Sequence, residues 1–397
     1  MDSIKRNKIF IDNEAYITLS MMNEGLLYPV TKLMNQKEAD EVNKTRLYNG
    51  KTFPFAFILA PSGKRNEEVL KNTKSGEILD IYLSPNNKKI AQLEIEEIFE
   101  IDPLKRVEII YGSKDLNHKG VAKTLKRLGK YAVSGKLILK DSPIKKDIQT
   151  LQTIISKNNA KNIVGITTNS NPFHRVHERI IRLALEENDM VVLFLSKNLK
   201  NNGIDFKTRY ATLKTITENF FPKDKIMIVP LNNTYIFSGL NEVIMDSIVI
   251  KNFGCNKFLM GQTHEGLGIH YENQNIKTIF DILKGINLET MTIKEYVYCD
   301  ICKTIVSTNS CPHGSHHHIK YHSEAILQLL KQGIIPPPIM IRKELTATYL
   351  SSLFKNRFEN IQKLYYDLIP NNGIIEEIKD EEFYIKLIKL YQTTSMT

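Results

Sequence analysis

The sequence predicts a mixed α/β protein: a β-rich N-terminal domain, then a doubly wound parallel sheet, then a small metal-bearing segment and helices. Three observations carry this. Up to about residue 150, short apolar runs are separated by turn residues; from about Ile148, apolar runs alternate with helical patterns; and three of the four cysteines fall between Cys299 and Cys311. With 397 residues and 42% hydrophobic content, the chain can bury two or three cores. The boundaries expected are 1–150, 151–330 (including a cluster at 299–318) and 331–397 for a helical C-terminal segment.

In the first domain, strands are expected at Thr52–Leu59, Ile78–Leu83, Val107–Tyr111 and Leu137–Leu139. Pro54, Pro61-Ser62-Gly63, Pro85-Asn86-Asn87 and Ser134-Gly135 punctuate them, and a short helix covers Gln36–Asn43. No acid–base pair stands out there. Further on, strand Asn162–Thr167 leads to helix Pro172–Glu187 and strand Met190–Leu195. Helix Phe206–Asn219, strand Lys225–Pro230, helix Leu240–Asn252 and strand Lys257–Gly261 continue the alternation. Strands of this length with helical crossovers predict a parallel sheet whose ligands sit beyond the strand C-termini. Helices are expected again at Ser323–Gln332 and, after Pro336-Pro337-Pro338, onward to about Tyr391.

Two loops fall at that edge. The first is G-I-T-T-N-S-N-P-F-H-R-V-H, Gly165–His177, in which Asn171 and Pro172 read as the N-cap and first residue of a helix. His174 and His177 would then share one face near the helix's positive end, placed to hold a triphosphate and stabilise charge on leaving pyrophosphate. A bare H-x-x-H is equally compatible with two surface histidines. The second loop, M-G-Q-T-H-E-G-L-G, brings Gly261, His264 and Gly266, with glycines that let backbone N–H groups approach phosphate. Together the loops predict a nucleotide site.

The net charge of +10 suits an anionic partner, but the lysines are scattered. The densest basic stretch, Lys119–Lys146, reads as a solvated face rather than an RNA surface. No apolar run reaches the ~18 residues of a membrane span, and the start, M-D-S-I-K-R-N-K, lacks a signal core, so a cytoplasmic location is expected. Cys299-x-x-Cys302, then Cys311, then His313, His316 and His317 provide three thiolates and an imidazole, the tetrahedral set that structural zinc favours. The fourth ligand is assigned to His317, with His313 and His316 as alternatives. Cys255 reads as a buried small hydrophobe.

Over nearly its whole length the chain resembles the ATP sulfurylase (sulfate adenylyltransferase) family. The blocks that carry the resemblance begin with L-Y-P-V-T-K-L-M (Leu27–Met34), R-L-Y-N-G (Arg46–Gly50) and Y-G-S-K-D-L-N-H-K-G-V (Tyr111–Val121), and continue with G-K-Y-A-V-S-G. Then come N-P-F-H-R-V-H (Asn171–His177), P-K-D-K (Pro222–Lys225), K-N-F-G-C (Lys251–Cys255), Gly261…His264…Gly266, the C-x-x-C…C-P-H cluster, and P-P-P-x-x-x-R-x-E ending at Glu344. The resemblance implies a PUA-like N-terminal domain and a Rossmann-like nucleotidylyltransferase domain. It implies attack of an oxyanion on the α-phosphorus of ATP, with Mg²⁺ accompanying ATP, and often a homo-oligomer. His174, His177 and Asn171 would be catalytic. Thr168, Asn169, Ser170, Asn171, His174, His177, Gly261, His264 and Gly266 would line the nucleotide site.

Departures fall where the family clamps sulfate. Its Q-T-R-N-P reads Thr168-Asn169-Ser170-Asn171-Pro172 here, and its G-R-D-H-A-G carries Gln262, Thr263 and Glu265 in place of Arg, Asp and Ala. Its S-G-T-x-x-R aligns with His322–Leu327, without the Thr and the Arg. An acceptor lodged against Thr168, Ser170, Gln262 and Glu265 meets fewer cationic donors than a dianion requires. The expected partners are therefore ATP or another nucleotide and a small acceptor, with sulfate as one candidate; a less anionic acceptor, or a non-catalytic nucleotide- or RNA-binding relative, are the alternatives.

Overall fold

A computed structural model describes residues 7–197, 203–232, 234–237, 241–261, 285–370 and 377–392. The chain begins β1 (Asn7–Ile11), α1 (Asn13–Asn23), α2 (Gln36–Thr45), β2 (Leu47–Tyr48), β3 (Lys51–Thr52), β4 (Leu59–Pro61), α3 (Lys64–Asn72), β5 (Ile78–Leu83) and β6 (Lys88–Glu100). It continues α4 (Pro103–Tyr111), α5 (Lys119–Arg127), β7 (Leu128–Leu139), α6 (Lys145–Asn158), β8 (Ile163–Thr168), α7 (Arg175–Glu187), β9 (Met190–Lys197) and α8 (Phe206–Phe220). Then follow β10 (Ile226–Asn232), α9 (Glu242–Asn252), β11 (Lys257–Gly261), β12 (Glu289–Ile293), β13 (Tyr296–Cys299), β14 (Thr304–Ser307) and β15 (His318–Ile319). Helices α10 (Ser323–Lys331), α11 (Lys343–Leu353), α12 (Ile361–Leu368) and α13 (Asp380–Tyr391) close the described chain.

Two compact units result: residues 1–165 with 232–292, and residues 166–231 with 293–397. The boundary cuts through β8. In the first unit a five-stranded sheet has the order β1-β5-β6-β7-β4, parallel at β1–β5 and antiparallel elsewhere. Its longest ladder, β6–β7, is bulged beside Gly135, whose φ of 150° and closeness to the Glu94 carbonyl leave no room for a Cβ. Phe53, Phe55 and Phe57 lie in its core. Arg127 pairs there with Asp12 and Glu14, a partly buried ionic network that nothing in the sequence singled out. Every lysine from Lys119 to Lys146 is exposed.

Two strand expectations are corrected. Val107–Tyr111 belongs to α4, because Asp102 caps it through Leu104 N–H and Pro103 occupies its first position. The burial of Arg106, Val107, Ile110 and Tyr111 follows helical spacing, which outweighs the β propensity of these residues. Thr52–Leu59 is strand only at its ends, in β3 and β4; Pro54 cannot donate to a ladder, and Phe53 to Ile58 are buried without alternation.

In the second unit β10, β9 and β8 lie side by side in that order, joined through α8 and α7; in the first, β8, β11 and β12 do. The strand order reverses at β8, and in sheets of this design ligands bind beyond the carboxyl end of such a strand. The loop that leaves β8 there belongs wholly to the second unit. That unit also holds the small sheet β14-β13-β15 and the helices α10 to α13, the last two packed around Tyr365, Ile369, Ile378 and Phe383.

Candidate active site

Between β8 and α7 the chain makes a loop held by hydrogen bonds from several elements. Ser170 sits in the left-handed region (φ 46°), is buried, and donates its N–H to Thr168 Oγ1 at 3.2 Å; the two hydroxyls lie 2.9 Å apart. Asn169 is gripped from below by Arg209, whose Nη1 donates to the Asn169 carbonyl at 2.6 Å and to its Oδ1 at 3.2 Å. Arg209 is wholly buried on α8; its Nη1 also meets the Ser196 carbonyl and its Nε the Ile204 carbonyl. The sequence signal for it was available: an arginine in register with Phe206, Leu213 and Ile216 on the inward face of an amphipathic helix.

Asn171 is not a helix cap. Its Oδ1 accepts the N–H of Ile204 at 3.0 Å, and its amide lies against Gly203, where a Cβ would stand 2.3 Å from Nδ2. With Asn171 so engaged, α7 starts at Arg175 rather than Pro172, and His174 is its N-cap residue. The Phe173 N–H is taken by the buried Tyr349 hydroxyl on α11, at 2.9 Å. Arg209, Gly203 and Tyr349 were all missed in the sequence, because each acts on backbone or amide from a distant element.

His174 and His177 do come together, with ring centroids 3.7 Å apart and planes tilted by 31°. Phe173 stacks on His177 at 5.2 Å, and Tyr321 flanks His174 at 5.4 Å. The His174 backbone N–H donates to His177 Nδ1 at 3.2 Å. That nitrogen is therefore unprotonated, and a neutral His177 carries its hydrogen on Nε2. Burial drives both imidazoles toward the neutral form, lowering His177 to about 4; in His174 the neighbouring ring adds to the effect. His174 Nδ1 is buried with no hydrogen-bond partner among the described residues, the one polar atom of the loop and its histidines so left. A buried orphan of this kind marks where a ligand's polar atom would go.

Glu178, one turn into α7, anchors the helix. Arg342 meets it with two hydrogen bonds of 2.5 and 2.8 Å, and Arg182 and Arg175 add contacts at 3.1 and 3.3 Å. Burial would raise its carboxyl, but the hydrogen bonds from Arg342 and Arg182 prevail and hold it below the usual range. The arginine of P-P-P-x-x-x-R is thus a fixture of the helix, its guanidinium stacked 3.8 Å above Phe220. Of the second loop, Gly261 ends β11 in the first unit; Gln262, His264, Glu265 and Gly266 lie outside the described residues.

In the small sheet, Cys299, Cys302, Cys311 and His313 bring one ligand atom each to within 4.8 Å of one another. The Sγ atoms of Cys302 and Cys311 lie 3.9 Å apart, and His313 Nδ1 is 3.3 to 3.6 Å from the three sulfurs. A tetrahedron with Zn–S bonds of ~2.3 Å has S–S edges of about 3.8 Å, so the donor set fits zinc. Of the candidate fourth ligands, it is His313 rather than the expected His317 that the fold brings to the three sulfurs. His317 instead pairs through Nδ1 with Asp300 at 2.9 Å, with the His316 ring tilted against it at 4.1 Å, both placed there by the turn at Gly314–His318.

The ATP-sulfurylase family model matches residues 143–352, and a PUA-like domain model matches residues 2–142. The chain belongs to the ATP-sulfurylase family. It is 26% identical over 359 residues to a sulfate adenylyltransferase of Halothermothrix orenii, covering 87% of this chain and 92% of that one. It is 28% identical over 360 residues to one of Staphylothermus marinus, covering 88% and 91%. Among solved structures, the hexameric APS kinase from Thiobacillus denitrificans matches in fold, with a TM-score of 0.65 at 14% identity, over 87% of this family member and 63% of that longer chain. No described helix is long and apolar enough to cross a membrane.

Proposed function

We propose that this protein transfers the adenylyl group of ATP to a small acceptor with release of pyrophosphate, and that its acceptor is less anionic than sulfate. The observation that carries the first half is the neutral His174–His177 pair at the start of α7. His177 presents an Nε2–H donor and His174 an orphaned buried nitrogen, at the carboxyl end of β8. Positioned neutral donors stabilise charge developing on a leaving pyrophosphate without reorganising, and that is where such reactions gain most of their rate. Thr168, Asn169, Ser170 and Asn171 would shape the phosphate and acceptor pockets, with Gly261, His264 and Gly266 contributing from the second loop. Mg²⁺ would enter bound to ATP, zinc would be held by Cys299, Cys302, Cys311 and His313 as a structural ion, and the working form would be a homo-oligomer.

The second half rests on Thr168 and Ser170. Their hydroxyls satisfy each other and carry no charge, where the family places a glutamine and an arginine. The test is pyrophosphate release by purified protein with ATP and Mg²⁺, with and without candidate acceptors. His174→Ala and His177→Ala are each expected to lower turnover by about 10²–10³-fold while the protein stays folded, the loss typical of one removed transition-state donor. Undiminished turnover in both variants would sink the assignment.

A second reading, a non-catalytic nucleotide-binding relative, is favoured by one position. Leu327 stands where the family's S-G-T-x-x-R motif has its arginine, and it is buried in the core of α10, so no cation can replace the lost contact from that site. ATP binding without pyrophosphate release for any acceptor is the outcome that reading expects.

A further inference from the structure

Within the second unit, α7 and β14 enclose a groove of about 550 Å³ that the proposed chemistry does not use. Its helical wall carries Arg175, Arg179 and Arg182, spaced to share one side of α7. Among the described residues Glu178 is the one carboxylate lining it, and it is shared by three guanidinium groups: Arg342 through two hydrogen bonds, and Arg182 and Arg175 at 3.1 and 3.3 Å. Arg179 is exposed and makes no ion pair among the described residues. The wall therefore has an excess of guanidinium charge facing the cavity.

The opposite wall is a strand edge. In the order β14-β13-β15, β14 has a neighbour on one side only among the described residues, and all four of its residues line the groove. The free backbone groups can be assigned. Thr308 N–H donates to the Glu295 carbonyl, so 295 and 308 form a hydrogen-bonded pair. With Val297 opposite Val306 and Tyr298 opposite Ile305, the antiparallel alternation makes 297–306 a bonded pair and 298–305 a non-bonded one. Ile305 therefore turns its N–H and C=O away from β13, into the groove. An unpaired edge is a template for another strand.

We propose that this groove docks an extended acidic segment of a partner protein, which pairs with β14 at Ile305 and sets its carboxylates against Arg175, Arg179 and Arg182. The two walls ask for the same ligand: main-chain pairing gives the strand its seat, and alternate side chains reach the arginines. The inference is independent of the proposed reaction, so its failure leaves that reading untouched.

The test uses the full chain with zinc bound and a fluorescein-labelled octapeptide of alternating glutamate and valine, followed by fluorescence anisotropy. A lysine–valine peptide of the same length is the control. Saturable binding of the acidic peptide alone is expected, weakened at least tenfold by Arg179→Glu and at least tenfold by Ile305→Pro. The proline removes an N–H that faces away from β13 and so leaves the β13–β14 ladder intact. Ile305→Ala controls for the lost side chain, and circular dichroism checks that the variants fold. No binding to the unaltered protein overturns the proposal. So does binding that survives Ile305→Pro, which would mean charge adhesion without strand pairing. Arg179-dependent binding of tripolyphosphate but not peptide would assign the groove to a small anion. Arg179-dependent self-association without peptide binding would assign it to a second copy; either result also overturns it.

Discussion

At the scale of single residues, the histidine pair makes the stability of this protein depend on pH in a defined window. His177 has an ordinary value of 6.5 and is held at about 4 in the folded chain, with His174 lowered in the same direction. Between those values the unfolded chain binds more protons than the folded one, so stability falls as pH drops from about 6.5 to 4. Glu178 acts in the same sense lower down, its contribution being lost as pH falls through its depressed value. Comparison with His177→Gln isolates the histidine, because Glu178 is common to both proteins. Urea midpoints measured from pH 7 to pH 4 are expected to fall less steeply in the variant. Parallel curves would show that His177 titrates normally. Arg209 gives a second prediction at this scale. Arg209→Met removes three hydrogen bonds from a charged donor, to the carbonyls of Asn169, Ser196 and Ile204, each worth about 1.5–3 kcal/mol. A loss of at least ~3 kcal/mol in urea unfolding is expected, with ATP affinity lowered as the loop relaxes; a loss below 1 kcal/mol would show that water substitutes for the guanidinium.

At the scale of elements, the sheet β14-β13-β15 allows its metal ligand to be tested against its neighbours. His313→Ala is expected to lose most of the zinc and His317→Ala to retain close to one equivalent by elemental analysis, since among the described histidines His313 alone meets all three sulfurs, His318 reaching only Cys311. The reverse pattern would restore His317 as the ligand. The C-x-x-C and its third cysteine could be read from spacing, but the choice among three histidines depends on how the turn at Gly314 aims each ring. The same contrast holds elsewhere. β11 was placed to the residue, and β8, β9, β10 and α8 within two, because their apolar runs are continuous and bounded by polar residues. The start of α7 was misplaced by three residues because Asn171 and Pro172 fit a helix cap locally, while the side chain of Asn171 is claimed by Ile204, thirty-three residues away. Val107–Tyr111 was misread because its residues suit a strand and its cap lies upstream. Local chemistry was legible; competition from distant backbone was not.

At the scale of the whole molecule, the proposed function has the family's scaffold and histidine pair persist while the charged groups that would grip a sulfate dianion are replaced. The first loop offers Thr168 and Ser170, and the second carries Gln262 and Glu265 in sequence. Two lost guanidinium contacts at ~1.5–3 kcal/mol each amount to about 3–6 kcal/mol. That corresponds to sulfate binding weakened by roughly 10²–10⁴-fold, before the added carboxylate of Glu265 is counted. Ser170→Arg would not simply restore the grip. Ser170 is buried, turned toward Thr168 and left-handed in its backbone, so a long cationic side chain there would have to displace the loop that Arg209 and Tyr349 hold. Sulfate up to millimolar concentrations is therefore expected to leave pyrophosphate release within about twofold of the sulfate-free rate, both in this protein and in Ser170→Arg. A saturable, His174-dependent rise with sulfate would mean that cations outside the family's clamp positions supply the missing charge. The acceptor would then be sulfate itself, and the change in the two loops would be a rebuilt site for the same dianion rather than a site for a different substrate.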